Sequence, residues 1–439
     1  MPQFDSRPPS PHEITPACQD DLSVIQLGWL AAAVFVVSAG YGALMPLIPD
    51  WLRSLMADVD PKVLSRHVGY LSGIYTAGIL IGAPLWGVLA DRLGRARVLL
   101  VGMVGYVVSL LFLLRPESVG VVGIYVLRGA AGFFVAAVVP VVPALVAQYT
   151  PKALRAKRFA WLGAMSLLGF LFGPGLNAAA DRLVGLGLFT AFLKGSSTDL
   201  VIGLSAVLGA LMMLGLATTL PAYSTIRDSE IGDDDESSKP RSLTLWLLNG
   251  VVMFVLAGFE LGILLQSQRH PDLTSRDVSL MFAECSLVML SVNALLFFTG
   301  LLERVDSRRV LVAGMTLGIA GLIVMAFHTN QTWMYLGVSL TAAGTGIVLP
   351  TVAYLAAGSA RPRLGTAMGG LAAAAGFGQT LGSAVAGWMF GTVMQISFVW
   401  LSIPLIATLT ILLIPSLWWP ANPLLLTTSS SPTATVSKL

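Results

Sequence analysis

GVLADRLGRARVLL, residues 87–100, sets Asp91, Arg92, Arg95 and Arg97 within seven positions between two long apolar runs. Such a charge cluster stands out in a chain of 439 residues that is 55% hydrophobic and 11% charged, where soluble domains carry about 25% charged residues. Working outward from it, apolar stretches near the roughly 20 residues that cross a bilayer recur along almost the whole sequence, with short polar joints between them. The pattern predicts an all-α polytopic membrane protein with twelve transmembrane helices. They are expected at 27–48, 68–90, 98–114, 119–147, 159–180, 199–222, 243–266, 278–302, 309–328, 332–357, 366–391 and 395–418. Span 4 contains Pro140 and Pro143, and Pro116 marks the short joint before it.

Lys and Arg accumulate in cytoplasmic loops. With the N-terminus inside, seventeen of the 26 fall on the cytoplasmic side, chiefly in 92–97, 152–158, 227–241, 304–309 and 361–363. Eight fall outside, and Arg128 lies within span 4. Both termini are therefore expected in the cytoplasm. Residues 1–26 hold Asp5, Glu13, Asp20 and Asp21 against Arg7, the wrong charge for the leading region of a cleavable signal, so the first span is expected to remain. Residues 1–26 and 419–439 read as disordered arms, one Pro-rich, the other polar and small. Cys18 and Cys285 fall in an arm and in a span, too far apart in environment to form a structural bridge.

The single long polar joint, 223–242, divides an N-terminal bundle (27–222) from a C-terminal one (243–418). Its acidic run Asp233–Glu236 suits either a solvated linker or cation binding. The halves repeat in parallel. Shifted by 212, ADRLGRARVLLVG (90–102) meets LERVDSRRVLVAG (302–314), which sets Glu303 under Asp91, Arg304 under Arg92 and Arg309 under Arg97. In the fifth helices, GFLFGP (169–174) meets GQTLGS (378–383), a Gly-x-x-x-Gly in each. Two pseudo-symmetric six-helix bundles follow.

On these motifs the chain resembles the major facilitator superfamily, most of all its proton-coupled drug and metabolite antiporters. Gly87, Asp91, Arg92, Gly94, Arg95 and Arg97 match the family's loop between helices 2 and 3, and VLRGAAG carries Arg128 and Gly132 as in its Arg-x-x-x-Gly motif. GFLFGPG, with Gly169, Gly173 and Pro174, looks like the antiporter motif of helix 5; the family's closing Gly pair is replaced by Asn177 and Ala178. The resemblance implies a latch in the 2–3 loop that holds the cytoplasmic side closed in the outward-open state, echoed by Glu303 and Arg304. For Arg128 it implies a part in proton coupling or anion binding. For the helix 5 motif it implies a bend that shapes movement of helix 5 against helix 8.

Physical chemistry reads the same residues independently. Asp91 ends helix 2, where the negative end of the helix dipole disfavours a carboxylate and drives it toward cations. Gly94 allows a tight turn. A purely topological role needs only the Arg residues, not the Gly and Asp spacing. Charges inside spans are costly and mark sites. Arg128 is nine residues into span 4; its structural alternative is a hydrogen bond to helix 1 carbonyls. Glu260 and Glu284 lie about 9 Å from the outer ends of spans 7 and 8 by helix rise. Each is a candidate proton or cation carrier or, alternatively, an outer-vestibule acid paired with a cation such as Arg269. Tyr41, Asn177, Asn249, Asn293 and Gln379 either line a cavity or bond between helices.

Nothing suggests an enzyme. The four His residues have no metal-ligand spacing and no Gly-Lys phosphate loop is present, so neither a cofactor, a metal nor a nucleic-acid partner is implied. The expectation is a secondary transporter, monomeric in a bacterial inner or an internal membrane. It would move a small molecule by alternating access, with proton-coupled export of drugs or metabolites as the leading reading. The alternatives are an importer of a metabolite, metal or iron chelate, and a non-transporting sensor with the same fold.

Overall fold

The computed structural model describes residues 22–56, 60–150, 152–186, 197–220, 239–266, 273–328, 330–359, 364–392 and 396–414. Every regular element among them is helical, and all twelve expected spans coincide with helices. Span 1 is α1 (Val24–Leu44), a 3-10 turn and α2 (Ile48–Leu55); span 2 is α3 (Pro61–Leu93); span 3 is α4 (Arg95–Leu113). Span 4 comprises α5 (Pro116–Val135) and α6 (Val138–Gln148), span 5 is α7 (Lys152–Gly185) and span 6 is α8 (Ser197–Thr219). The second half runs α9 (Lys239–Gln266), α10 (Ser275–Thr299) with the short α11 (Leu301–Arg304), α12 (Ser307–Phe327), α13 (Gln331–Ser359), α14 (Leu364–Thr392) and α15 (Ser397–Leu413).

Local chemistry fixes the ends. Ser23 and Gln26 form a capping box that starts α1, three residues inside the arm expected to end at 26, because those paired bonds satisfy the first free amides. Span 1 also outruns its expected end at 48. Pro46 and Pro49 sit at the starts of the 3-10 turn and of α2, where a missing N–H costs nothing, so the chain tightens there and continues helical to Leu55. Likewise α9 begins at Lys239, within the joint drawn as 223–242, with Pro240 in its first turn. Helix α15 stops at Leu413, where Ile414 is extended, five residues short of 418. Span 4 is not one helix: Ala136 and Ala137 form a turn between α5 and α6. Pro140 lacks the N–H that would bond back to Ala136. The expected arms outside 22–414 and the acidic run Asp233–Glu236 lie outside the described residues.

The two halves pack alike. Helix α1 lies against α7 and α8 as α9 lies against α14 and α15; α3 against α5 matches α10 against α13; α4 against α8 matches α12 against α15. Between halves, α3 meets α14 and α7 meets α10. The repeated Gly-x-x-x-Gly pairs serve corresponding contacts: Gly169 lies on the Phe35 carbonyl and Gly173 on Gly42 of α1, while Gly378 lies on the Gly250 carbonyl and Gly382 on that of Phe254 in α9. Small residues replace side-chain bulk with backbone contact, the main source of packing energy where lipid already solvates apolar groups.

The α3–α14 seam is the closest approach of the two halves among the glycine contacts. A Cβ on Gly69 would lie 2.7 Å from Gly387 Cα, and one on Gly387 would lie 2.6 Å from Gly69 Cα. Gly391 abuts the Lys62 carbonyl, Thr380 Oγ1 donates to Thr76 Oγ1 at 3.2 Å, and Gly376 faces Leu80. The seam thus runs from Lys62 to Leu80. Farther along α3, Ile81, Leu85 and Val88 are exposed.

Candidate functional site

The site is built around a buried cation. Gly132 of α5 lies directly on the Tyr75 backbone of α3, and Gly78 of α3 lies on the Gly129 carbonyl. This bare contact brings Arg128, one turn from Gly132, beneath the neighbouring aromatic ring. Its guanidinium carbon sits 4.4 Å from the Tyr75 ring centre, a cation–π contact strengthened by the dry surroundings. Arg128 is 4% exposed, and its Nε and Nη2 have no hydrogen-bond partner among the described residues. The spacing Arg-x-x-x-Gly therefore has a mechanical meaning: the glycine sets the depth at which the arginine is held.

From Tyr75 an aromatic chain leads toward the second half. Tyr41 of α1 is 5.1 Å from Tyr75 between ring centres and 5.4 Å, edge-on, from Phe170 of α7. Glu260 of α9 lies within electrostatic reach of Tyr41 and of Cys285 on α10. Its carboxylate makes no hydrogen bond with a described residue and is half-buried. So α5, α3, α1 and α9 bring Arg128, Tyr75, Tyr41 and Glu260 into sequence. Glu284 is also within electrostatic reach of Cys285; on α10 it accepts a short hydrogen bond from Ser339 Oγ of α13, and its Oε2 is buried without a partner among the described residues.

A family model described as Major Facilitator Superfamily matches residues 30–290 and 245–437. This chain belongs to that family. It is therefore a multi-pass membrane transporter and not an enzyme. It is 24% identical over 305 residues to "Multidrug resistance protein 2" of Bacillus subtilis (strain 168), covering 68% of this chain and 73% of that one. Over 144 residues it is 34% identical to "Tetracycline resistance protein, class B" of Escherichia coli, 33% of this chain and 34% of the relative's length. The POT family transporter PepTSo has the same fold, with TM-score 0.69 at 14% identity over 88% of this chain and 97% of that one.

The superfamily's 2–3 loop takes the turn anticipated for it. Gly94 has φ 94° and ψ 135°, ending α3 and opening α4. Arg95 Nη1 donates to the Ala144 carbonyl of α6 at 3.0 Å, while Arg92 and Arg97 are exposed; Gly87 has open space beside it. In the second copy the turn is made differently. Gly300 has φ 61°, and Asp306, the counterpart of Gly94 under the 212-residue shift, caps α12 by accepting from the Arg308 amide at 3.2 Å. Arg304 is exposed. The side chains of Asp91 and Glu303, and all of Arg269, lie outside the described residues.

The helix 5 glycines Gly169 and Gly173 meet α1, within the same half, rather than α10; Pro174 follows in an unbroken α7. Asn249 donates to the Leu371 carbonyl at 2.9 Å, joining α9 to α14, and Asn293 donates to Met289 on its own helix. Asn177 is 6% exposed with both amide atoms unpartnered among the described residues, and Gln379 is half-buried on α14. Tyr75, which organises the site, escaped the reading of polar residues. Its signal was present: it lies in a span whose neighbouring Gly69, Gly73 and Gly78 mark a helix packed on both sides.

Proposed function

We propose that this transporter exports amphipathic drugs or metabolites in exchange for protons, with Arg128 and Glu260 as its coupling pair. The observation that carries the reading is the line Arg128–Tyr75–Tyr41–Glu260. It begins on a fixed cation in one half and ends, in the other, on a carboxylate with no hydrogen bond to a described residue. The carboxylate takes up a proton and becomes neutral, which lowers the cost of moving it through an apolar interface. Its attraction to the arginine field across Tyr41 changes with that proton, so the proton biases one arrangement of the halves over the other. The similarity to a multidrug resistance protein over 305 residues supports the export direction.

The Lys and Arg distribution supports cytoplasmic termini; the reading takes the host as a bacterial inner membrane and the bundles at 27–222 and 243–418 as units that move within a monomer. In that orientation the Lys62–Leu80 seam closes the outer side, which supports a cytoplasm-facing arrangement with the latch residues Asp91 and Arg95 on the open side. Glu284 joins α10 to α13 within the second half through Ser339.

Protein in proteoliposomes with an internal pH dye tests this directly, with lipophilic cations, organic acids and iron chelates offered in turn. Substrate-driven proton movement that Arg128→Ala abolishes is expected. Glu260→Gln should lose proton movement by at least about tenfold while retaining substrate exchange down a gradient, since a neutral amide mimics the protonated acid. Proton movement undiminished in both variants would overturn the assignment.

A further inference from the structure

A small cavity opens beside Arg128. It is lined by Leu44 and Ile48 of the first span, Trp51 of α2, Leu113 of α4, Arg128 of α5, and Thr198 and Ile202 of α8. All of these lie within the first half, so the cavity is separate from the seam between halves. Its chemistry is one-sided. Tyr75 covers a face of the guanidinium, yet Nε and Nη2 have no partner among the described residues. These two nitrogens share one edge of the guanidinium, the pair of parallel N–H donors that receives a carboxylate bidentately or a halide between them. Trp51, 7% exposed, lines the same cavity, and its Nε1 is likewise buried without a partner among the described residues. The indole nitrogen can only donate.

Three buried donors, a full positive charge and aliphatic walls require an acceptor, since a buried charge is tolerated when paired. No described residue lining the cavity is acidic. We propose that this cavity is a binding site for one small monovalent anion, chloride or a short carboxylate such as formate, held by the Nε–Nη2 edge of Arg128 with Trp51 as the second donor. The anion accepts from the unpartnered edge of Arg128 and holds α2, α4, α5 and α8 together around it. Leucine and isoleucine walls exclude large or strongly hydrated anions, so sulfate and gluconate do not replace it. The site shares Arg128 with the transport reading, but its occupancy is read from stability rather than flux, so the two readings fail separately.

The test is thermal unfolding of purified protein, at constant ionic strength, in gluconate exchanged stepwise for chloride or for formate. Ligand bound only to the folded state raises the midpoint with concentration. A saturable rise is expected in one or both small anions, with none in sulfate. Trp51→Phe keeps the ring and removes the donor, and should move the half-saturating concentration up about tenfold; Arg128→Gln should abolish the rise. A midpoint independent of the anion in the unaltered protein refutes the site. So does an identical rise in unaltered protein and Trp51→Phe, whose folding the substitution leaves intact.

Discussion

Placing a methyl group in the α3–α14 seam, by Gly69→Ala or Gly387→Ala, should push the transporter out of the arrangement described here. In Gly69→Ala the new Cβ would stand 2.7 Å from Gly387 Cα and 2.8 Å from the Ser383 carbonyl. Both obstacles are backbone, which no side-chain rotation relieves. Bringing these distances to ordinary van der Waals contact needs the helices to part by roughly 1 Å, and overpacking of this kind costs about 1–3 kcal/mol. That cost falls only on the closed seam, so it changes the ratio of the two arrangements by about 5- to 150-fold. Thr76, 3% exposed beneath the seam, is the reporter. A Thr76→Cys substitution, in a background without Cys18 and Cys285, is labelled from outside by a membrane-impermeant maleimide. Either glycine substitution should accelerate labelling. Gly378→Ala is the control, because Gly378 meets Gly250 inside the second half; it should lower the unfolding midpoint and leave labelling unchanged. Since Gly69 and Gly387 share one contact, the double substitution should fall short of the sum of the two. Unaltered labelling in a folded Gly69→Ala protein would refute the seam as the closed side.

Two further outcomes follow from single contacts. Asn249→Ala removes the α9–α14 bond to the Leu371 carbonyl; interhelical hydrogen bonds in membranes contribute about 0.6 kcal/mol on average, so a drop of that order in unfolding free energy is expected, with transport rates retained. Gly94→Ala forces a side chain into φ 94°, ψ 135°, a sparsely populated conformation that costs about 1–3 kcal/mol for non-glycine residues. It should lower the unfolding midpoint, whereas alanine at neighbouring Arg92, which is exposed, should leave it in place.

The number and order of the spans were readable from hydrophobic length alone, because an apolar run in lipid must satisfy its backbone within itself and so becomes a helix. The duplication was readable too: Gly169 and Gly173 echo Gly378 and Gly382, and the structure puts both pairs on equivalent helices. Even Gly94 announced its turn. Span ends were less legible, since Ser23 with Gln26, or Pro46 with Pro49, acts through local bonding and sterics that a hydropathy pattern does not register. What the sequence left open is everything that depends on which faces meet. Arg128 stood out as a charge in a span, but its partner is a ring on α3 fixed by the Gly132 contact, and Glu260 differs from Glu284 only in the helices each faces. Gly69-x-x-x-Gly73 and Gly387-x-x-x-Gly391 are visible as patterns, yet a small-residue pair says only that some backbone comes close. That these two meet each other, across the halves, is decided by the packing of the two bundles, because helix rotation is set by neighbours far away in the chain.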